Sequence, residues 1–388
     1  MESINRNRLF LASCFALITT SMTFAFRARL ESVFGPEGIG LTLEQIGWAF
    51  TPAFWGFTLA MMIGGPLVDS LGMKKITWLA FITHAVGIVA TIFATTQMSL
   101  FAATLFIGIG NGMVEAALNP LVASMYPKQK TKMLNRFHVW FPGGIVIGSV
   151  LGYLMMDQMG LSWQIMVGTL FIPLAIYGFL FLGQKFPVTE RVEMGVSNSQ
   201  MYKTLANPLF IFIAFCMLLT AGTELGTNQR IESLLKETGT NGLLVLAFIN
   251  GIMALGRAFA GPVAHRLSIS GMLLFSAIFS FLGLTLFTQV GGGMTFFAAA
   301  IFAVGITFFW PTMLSFVAEK LPQSGAIGLA VMGGLGMLSV SIILPVMGRI
   351  MDDATGMEAV KFMSILPAIL IVLFGGLYFY MNRKETNA

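Results

Sequence analysis

The chain reads GPLVDSLGMKK over residues 65–75, a short polar turn between two long apolar runs. The runs cover residues 45–69 and 76–96, and each is close to the ~20 residues that an α-helix needs to cross a bilayer. A carboxylate and two lysines confined to so short a turn are typical of a hairpin of two membrane helices. The stretch therefore predicts a polytopic membrane protein, and the rest of the chain continues the pattern.

The composition excludes the water-soluble classes. Of the 388 residues, 56% are hydrophobic and only 10% are charged, and the mean hydropathy is +0.83. Soluble domains carry about 25% charged residues. A cytosolic globular enzyme, a disordered chain and a disulfide-stapled secreted module are therefore excluded. The two cysteines, Cys14 and Cys216, each lie in an apolar run and predict neither a disulfide nor a metal framework.

Apolar runs of membrane-spanning length occur twelve times, and no alternating β-barrel pattern is present, so the predicted fold class is an all-α membrane protein with 12 transmembrane helices. The runs lie at 8–30, 45–69, 76–96, 99–124, 134–156, 162–183, 207–230, 242–264, 270–290, 294–318, 325–350 and 360–381. The first run is longer than the apolar part of a signal peptide and is expected to be retained.

The net charge of +5 predicts an orientation, not a nucleic-acid partner. The 22 lysines and arginines fall mainly in short connectors on the side of the N-terminus. The positive-inside rule then places both termini in the cytoplasm and the chain in the cell membrane, the inner membrane where a cell has two. The expected partners are the lipid bilayer and a small solute, and we expect a monomer.

Four pairs of landmarks recur in the same order in the two halves of the chain. They are Gly65-Pro66 with Gly261-Pro262, Asn119-Pro120 with Trp310-Pro311, Gly143-Gly144 with Gly333-Gly334, and the block Gly152–Asp157 with the block Gly348–Asp352. The repeat predicts a six-helix bundle over 1–183, a cytoplasmic linker over 184–205 and a second six-helix bundle over 206–388. Two pseudo-symmetric bundles that face each other are the architecture of alternating-access transporters.

The turn at 65–75 resembles the G-x-x-x-D-R-x-G-R-R signature of the major facilitator superfamily. The matching residues are Gly65, Asp69, Gly72, Lys74 and Lys75, while Ser70 stands where the family has Arg, and a degenerate copy follows at Gly261–Arg266. The resemblance implies the fold of that superfamily over nearly the whole chain. It also implies that the matching residues form a latch in which Asp69 holds the outward-facing state. The alternative is a signal for topology and folding only.

Helix 4 carries a carboxylate at mid-membrane depth, in GIGNGMVEAALNP over residues 108–120. Such a group costs about 2.5–3.5 kcal/mol on insertion scales, so it is seldom without a function. Asn111, Glu115 and Asn119 are spaced by four residues and share one helical face. Pro120 leaves a backbone carbonyl free one turn earlier. A protonatable group, two amides and a free carbonyl suit a polyhydroxylated substrate.

The same stretch resembles the fucose:proton symporter and glucose/galactose transporter group, whose helix 4 has Glu- or Gln-x-Ala-Ala-Asn-Pro. Glu115, Ala117, Asn119 and Pro120 match, and Leu118 replaces an alanine. The resemblance implies that Glu115 carries a proton or binds sugar and that Asn119 binds sugar hydroxyls. The alternative is that Glu115 only pairs with a buried arginine.

Helix 1 departs from that group, whose second carboxylate lies there, because this chain has no acid before Glu31. It has Arg27 and Arg29 instead. Two residues apart, they point about 200° from each other, so one of them is expected to face the cavity. A cavity arginine would bind a carboxylate or phosphate through two hydrogen bonds. The alternative is that both reach out to the membrane surface.

Further candidates lie in helices 5, 7, 8 and 10. His138 would relay a proton or bind a hydroxyl, or else pack in the core. Glu224 and Asn228 repeat the acid–amide spacing of helix 4 and predict a second wall, unless 227–230 is a solvated loop. Arg257 needs an anion at its depth, and Glu224 is a candidate partner. Trp310 would stack on a sugar ring or pack. His84 is expected to be a packing residue.

No motif for ATP, a zinc protease or another cofactor is present, so we predict neither an enzyme nor a metal or cofactor site. The first hypothesis is proton-coupled transport of a monosaccharide through Glu115 and Glu224, with sodium as the alternative ion. The second is transport of an organic anion such as a sugar acid. Drug efflux is disfavoured by the intramembrane polar residues, and a non-transporting sensor is a further alternative. All of these require that the polar groups line a shared vestibule.

Overall fold

Twelve apolar helical segments follow one another in the computed structural model, which describes residues 4–127, 130–188, 203–259 and 267–386. Within these ranges, eleven segments are long and apolar enough to cross a membrane, and the remaining one, Gly242–Ala258, is shorter. The all-helical fold with twelve membrane segments is thereby confirmed.

The helices of the first half are α1 (Arg6–Phe34), α2 (Leu43–Phe50, then Pro52–Leu71), α3 (Met73–Ile92), α4 (Gln97–Met125), α5 (Lys130–His138, Trp140–Gly152 and a π-helical turn Tyr153–Gln158) and α6 (Trp163–Gly168, then Phe171–Phe181). Those of the second half are α7 (Pro208–Ala221, a π-helical turn Gly222–Gly226, then Thr227–Leu234), α8 (Gly242–Ala258), α9 (Ile269–Phe287), α10 (Met294–Ile306, then Phe309–Lys320), α11 (Gly325–Asp353) and α12 (Gly356–Thr386).

The three least regular apolar runs, at 45–69, 207–230 and 325–350, are all helical. Glycines such as Gly56, Gly226 and Gly336 lie in contacts between helices, so these interruptions of the apolar pattern are sites of helix packing. The structure also extends α1 to Phe34, four residues past the predicted 8–30, so that Glu31 is a buried α1 residue.

Two sequence predictions fall partly outside the described residues. The linker at 184–205 lies largely there, and so does the repeat of the 65–75 turn at Gly261–Arg266. The bundle boundaries therefore stay a prediction. Among the described helices, the first six meet the last six where α1 packs on α7, α2 on α11 and α5 on α8.

Twelve successive crossings return the chain to the face where it began. We call this the terminal face, because Arg6 and Thr386 lie there. The opposite end of the molecule, where α1 ends at Phe34 and α2 begins at Leu43, is called the distal face. By the charge pattern the terminal face is predicted to be cytoplasmic.

The family-like turn lies at the terminal face. Gly72 joins α2 to α3 with φ +86°, a left-handed conformation that favours glycine. Lys74 and Lys75 are exposed in the first turn of α3. Asp69 belongs to the last turn of α2 and Gly65 to the turn before it, and the side chain of Asp69 lies outside what the structure describes. Their role as a latch remains a prediction.

Candidate functional site

Glu115, Asn119 and His138 form a hydrogen-bonded chain between α4 and α5. Asn119 Nδ2 donates to Glu115 Oε2 at 2.6 Å, and His138 Nε2 donates to Asn119 Oδ1 at 2.9 Å. His138 Nε2 also lies 4.0 Å from Glu115 Oε2. The side chain of Glu115 is 10% exposed and that of His138 is 39% exposed. The chain thus leads from a partly exposed imidazole to a nearly buried carboxylate.

Asn111 shares the predicted face of α4, but its side chain is fully buried within the first half. Its Oδ1 accepts from His84 Nε2 at 2.8 Å, and its Nδ2 donates to Thr23 Oγ1 at 3.1 Å. His84 is in turn 3.1 Å from the hydroxyl of Tyr177 on α6. The polar atoms of Asn111 are therefore occupied by the protein, and the packing histidine His84 has two polar partners that its own helix does not reveal.

Glu224 and Arg257 pair across α7 and α8. Arg257 Nη2 lies 3.0 Å from Glu224 Oε1, and Arg257 Nε donates to the carbonyl of Thr307 at 3.0 Å. The side chains are 4% and 15% exposed. Because the carboxylate and the guanidinium neutralise each other, neither charge is left unpaired in this region of the membrane.

Asn228 does not repeat the role of Asn119. Glu224 lies in the π-helical turn Gly222–Gly226, whereas Asn228 lies in the α-helical segment that follows it. A π turn changes the phase of a helix. Asn228 is 3% exposed, and neither its Oδ1 nor its Nδ2 has a hydrogen-bond partner among the described residues. The same holds for Asn250 Oδ1 and Glu224 Oε2. These buried donors and acceptors are therefore free to form hydrogen bonds with a ligand.

The two polar clusters lie close to each other across the halves, because α8, which carries Arg257, packs against the segment Lys130–His138 of α5. Trp310 lies elsewhere, because it packs partly buried against Gly336 of α11. Stacking of Trp310 on a ligand stays a prediction. A cavity of about 350 Å³ near the terminal face is lined by Ile4, Arg6, Ser124, Met125 and Pro187, which include no predicted site residue.

Arg27 is buried in the contact between α1 and α7, and its guanidinium has no carboxylate partner among the described residues. Its Nη1 donates to Gln229 Oε1 at 3.0 Å. The guanidinium carbon lies 5.0 Å from the ring centres of both Phe24 and Phe54. Cation–π contacts of this kind stabilise a cation that has lost its water.

Arg29, like Arg27, contacts α7. It pairs with Asp157 of its own half and with Glu232 of α7. The alternative that both arginines reach out to the membrane surface is wrong, because the side chain of Arg29 is only 18% exposed and Arg27 is more deeply buried. The alternative of a solvated loop at 227–230 is also wrong, since these residues are buried in α7.

Several residues at the distal face lay outside the sequence predictions. Arg230 Nη1 lies 2.6 Å from Glu31 Oε2, with both side chains at most 1% exposed. Arg230 Nη2 also donates to the carbonyls of Leu43 and Leu344, at 2.9 and 2.8 Å. The polar stretch of α7 at 227–230 indicated that Arg230 has a polar partner, but the sequence does not show which helix supplies that partner. These contacts join the halves, so this structure is closed at the distal face.

Comparison with known proteins agrees with this architecture. The chain is 23% identical over 385 residues to an uncharacterized transporter, YttB of Bacillus subtilis, covering 92% of each chain. Its fold is similar to that of a D-xylose–proton symporter, with 13% identity, a TM-score of 0.72 and coverage of 94% of this chain and 96% of that one. It is also similar to the transporter FucP in its outward conformation, with 17% identity, a TM-score of 0.66 and coverage of 94% and 97%.

The family model described as Major Facilitator Superfamily matches residues 9–340, which is most of the chain. The twelve apolar helical segments, the buried polar clusters and the resemblance of the turn at 65–75 agree with that match. The chain is a multi-pass membrane transporter and belongs to the Major Facilitator Superfamily.

Proposed function

We propose that the transporter carries a monosaccharide or a related polyol and that a proton bound at Glu115 couples the transport. The observation that carries the proposal is the hydrogen-bonded chain from His138 through Asn119 to Glu115. The imidazole can exchange protons with water, and the amide fixes the carboxylate without neutralising it. A proton that reaches Glu115 removes a charge at mid-membrane depth, which favours the movement of the site between the two sides.

The second half supplies the other wall of the proposed site. Glu224 is neutralised by Arg257, so this wall presents amides and one free carboxylate oxygen, at Asn228, Asn250 and Glu224. Sugar hydroxyls both donate and accept hydrogen bonds, and a buried amide without a partner discriminates strongly in favour of a ligand that satisfies it. Glu224 is the second candidate for proton coupling, since release of Arg257 would leave it an unpaired acid.

A related solved structure points in the same direction, since the D-xylose–proton symporter shares the fold. We further propose that the protein is a monomer in the cell membrane and that both of its termini lie in the cytoplasm. The excess of lysine and arginine in the connectors of the terminal face supports the orientation.

Uptake into proteoliposomes tests the coupling. Purified protein is first screened with D-xylose, D-galactose, L-fucose and D-glucuronate for a rise in its unfolding temperature, because a ligand of the native state stabilises it. With the responding solute, a pH gradient should drive accumulation by the wild type. Glu115→Gln should lose this accumulation and keep exchange of labelled for unlabelled solute, because binding and rocking do not need the proton.

Glu358→Gln is the matched control, since Glu358 lies at the distal face, is half-exposed and pairs with Lys361 of its own helix. It should accumulate solute as the wild type does. If Glu115→Gln accumulates solute normally under the pH gradient, Glu115 does not couple transport to protons. A sodium gradient that drives uptake at constant pH would identify the other ion.

One observation favours a second candidate, an organic anion such as a sugar acid. Arg27 is a buried cation whose guanidinium contacts, among the described residues, two aromatic rings and the amide of Gln229 but no carboxylate. If the halves separate at the distal face, Arg27 loses Gln229 and becomes free to bind a carboxylate. Competition by D-glucuronate but not by D-glucose, abolished in Arg27→Met, would support this candidate, and competition by D-glucose alone would exclude it.

A further inference from the structure

Two aspartates at the distal face hold equivalent helices of the opposite halves. Asp157 ends α5 of the first half, and Asp352 lies near the end of α11 of the second. They belong to the two related blocks that begin at Gly152 and Gly348. Each reaches the first turn of the second helix of the other half, which is α8 for Asp157 and α2 for Asp352.

Asp352 contacts the backbone of α2 directly. Its Oδ1 accepts from the amide of Leu43 at 2.9 Å, and its Oδ2 accepts from the amide of Glu44 at 2.7 Å. The amide of Gln45 is already bonded to Thr42 within the same helix. The first turn of α2 is therefore completed by the other half of the molecule, with a carboxylate at the positive end of the helix dipole.

Asp157 contacts α8 through that helix's N-cap residue. Asn241 Oδ1 accepts from the amide of Leu244 at 3.2 Å, and Asn241 Nδ2 donates to Asp157 Oδ2 at 2.7 Å. The other oxygen of Asp157 pairs with Arg29 of its own half. The carboxylate is thus fixed in position by one half and holds the capping residue of the other.

The glycine of each block permits the close approach. A methyl group on Gly348 would lie 2.4 Å from the carbonyl oxygen of Leu43, the first residue of α2. One on Gly152 would lie 3.2 Å from the side chain of Leu243, which is near the start of α8. The two contacts are related by the internal repeat, since each joins a block glycine to the beginning of the second helix of the other half.

The two blocks differ by one residue, and the π-helical turn accounts for the difference. Asp352 is the fourth residue after Gly348 and lies in an α-helix. Asp157 is the fifth residue after Gly152 and lies in the π-helical turn Tyr153–Gln158. One π turn accommodates the extra residue, because its hydrogen bonds span five residues in place of four. Asp157 is thereby returned to the face of the helix that carries Gly152.

We propose that Asp157 and Asp352 form two pseudo-symmetric clasps that hold the distal face of the transporter closed, each by binding the start of the opposite half's second helix. Opening of this face separates α2 from α11 and α5 from α8, so it must release both clasps. The clasps act on the equilibrium between conformations and are independent of the solute carried.

Hydrogen–deuterium exchange of the purified full-length protein in nanodiscs tests the proposal. Asp352→Asn should speed exchange in 43–50, where a contact is lost directly. The decisive result is exchange in 241–247, which Asp352 does not touch. We expect this segment to exchange about tenfold faster, because the whole face opens more often. A tenfold change corresponds to about 1.4 kcal/mol less free energy in favour of the closed face. Asp157→Asn should give the reciprocal result, with faster exchange in 43–50.

Asp353→Asn is the matched control, because this aspartate is 78% exposed and lies 4.0 Å from Arg349 of its own helix. It should leave both segments unchanged. If Asp157→Asn does not fold, Asn241→Ala removes the same contact from the other half, and its readout is again exchange in 43–50. The proposal is overturned if each substitution affects only the helix that it contacts, or if Asp353→Asn has the same effect as Asp352→Asn.

Discussion

The centre of the molecule and its distal face satisfy their polar groups in opposite ways. In the centre, each half satisfies its own charges, through Glu115 with Asn119 and through Glu224 with Arg257. At the distal face, several charged groups find partners in the other half, as in the pair of Glu31 with Arg230. A rocking motion of the halves would therefore leave the central pairs intact and break the distal ones.

This difference indicates which contacts determine the free-energy difference between the two conformational states. Polar contacts within a half contribute equally to both end states, so they set the stability of the bundle. Contacts between the halves exist in one state only, so they set the equilibrium between states. Substitutions at central pairs should accordingly change the free energy of unfolding, whereas substitutions at contacts between the halves should also change the equilibrium between the two states.

The largest effect is expected at Arg230, which is fully buried against Glu31. Arg230→Met leaves a buried carboxylate without its partner and should destabilise the closed protein by about 3–5 kcal/mol. The double variant Glu31→Gln/Arg230→Met should recover most of this loss, since no charge is stranded. Thermal unfolding in detergent measures both. Equal stability of the single and double variants would contradict a buried ion pair.

A smaller effect is expected for Arg257→Met in the centre, because the side chain of Arg257 is 15% exposed and water can partly replace it. Loss of a charged hydrogen bond of this kind costs about 1.5–3 kcal/mol. Unlike the distal variants, it should leave deuterium exchange in 43–50 unchanged, since Glu224 and Arg257 belong to the same half. Faster exchange there would show that the central pair also holds the halves together.

His84→Leu should cost about 1–3 kcal/mol, because it leaves buried atoms of Asn111 and Tyr177 without partners. The unfolding temperature measures the loss. The contact lies wholly in the first half, so competition between solutes in the transport assay should be unaffected. A change in solute preference would mean that Asn111 reaches the substrate after all.

The smallest effect is expected at Lys236, which pairs with Glu37 across the halves at 2.6 Å with side chains 63% and 80% exposed. Solvent and salt screen such a pair, which contributes about 0–1 kcal/mol. Lys236→Met should match Lys361→Met, whose partner Glu358 lies on the same helix. A clearly larger effect at Lys236, in unfolding or in distal exchange, would mean that exposed pairs also close the face.

The fold could be predicted from the sequence because lipid imposes a simple rule on helix length and hydropathy. Even α7 could be located, despite Thr220, Glu224 and Asn228, since its apolar first part fixes its position. The pairs along one helix, such as Glu115 with Asn119, follow from the helical period alone. The pairing of Glu224 with Arg257 follows from the need to neutralise two buried charges.

The lateral arrangement of the helices could not be predicted in the same way. Asn111 bonds to His84, and Arg27 bonds to Gln229, because α4 lies beside α3 and α1 lies beside α7. Helical periodicity states which face a residue occupies and does not state which helix that face meets. The role of Asp352 at the start of α2 depends in addition on where α2 begins, which a hydropathy pattern defines only within a few residues.

The hydrogen bonds around His84 have a mechanical consequence. Tyr177, His84, Asn111 and Thr23 link α6, α3, α4 and α1 in an unbroken series, and the last hydroxyl donates to the carbonyl of Thr20. Four helices connected in this way cannot slide past one another without losing a bond in hydrocarbon, where water does not replace it. A displacement of α1 is therefore transmitted to α3, α4 and α6, so these four helices move together as one unit.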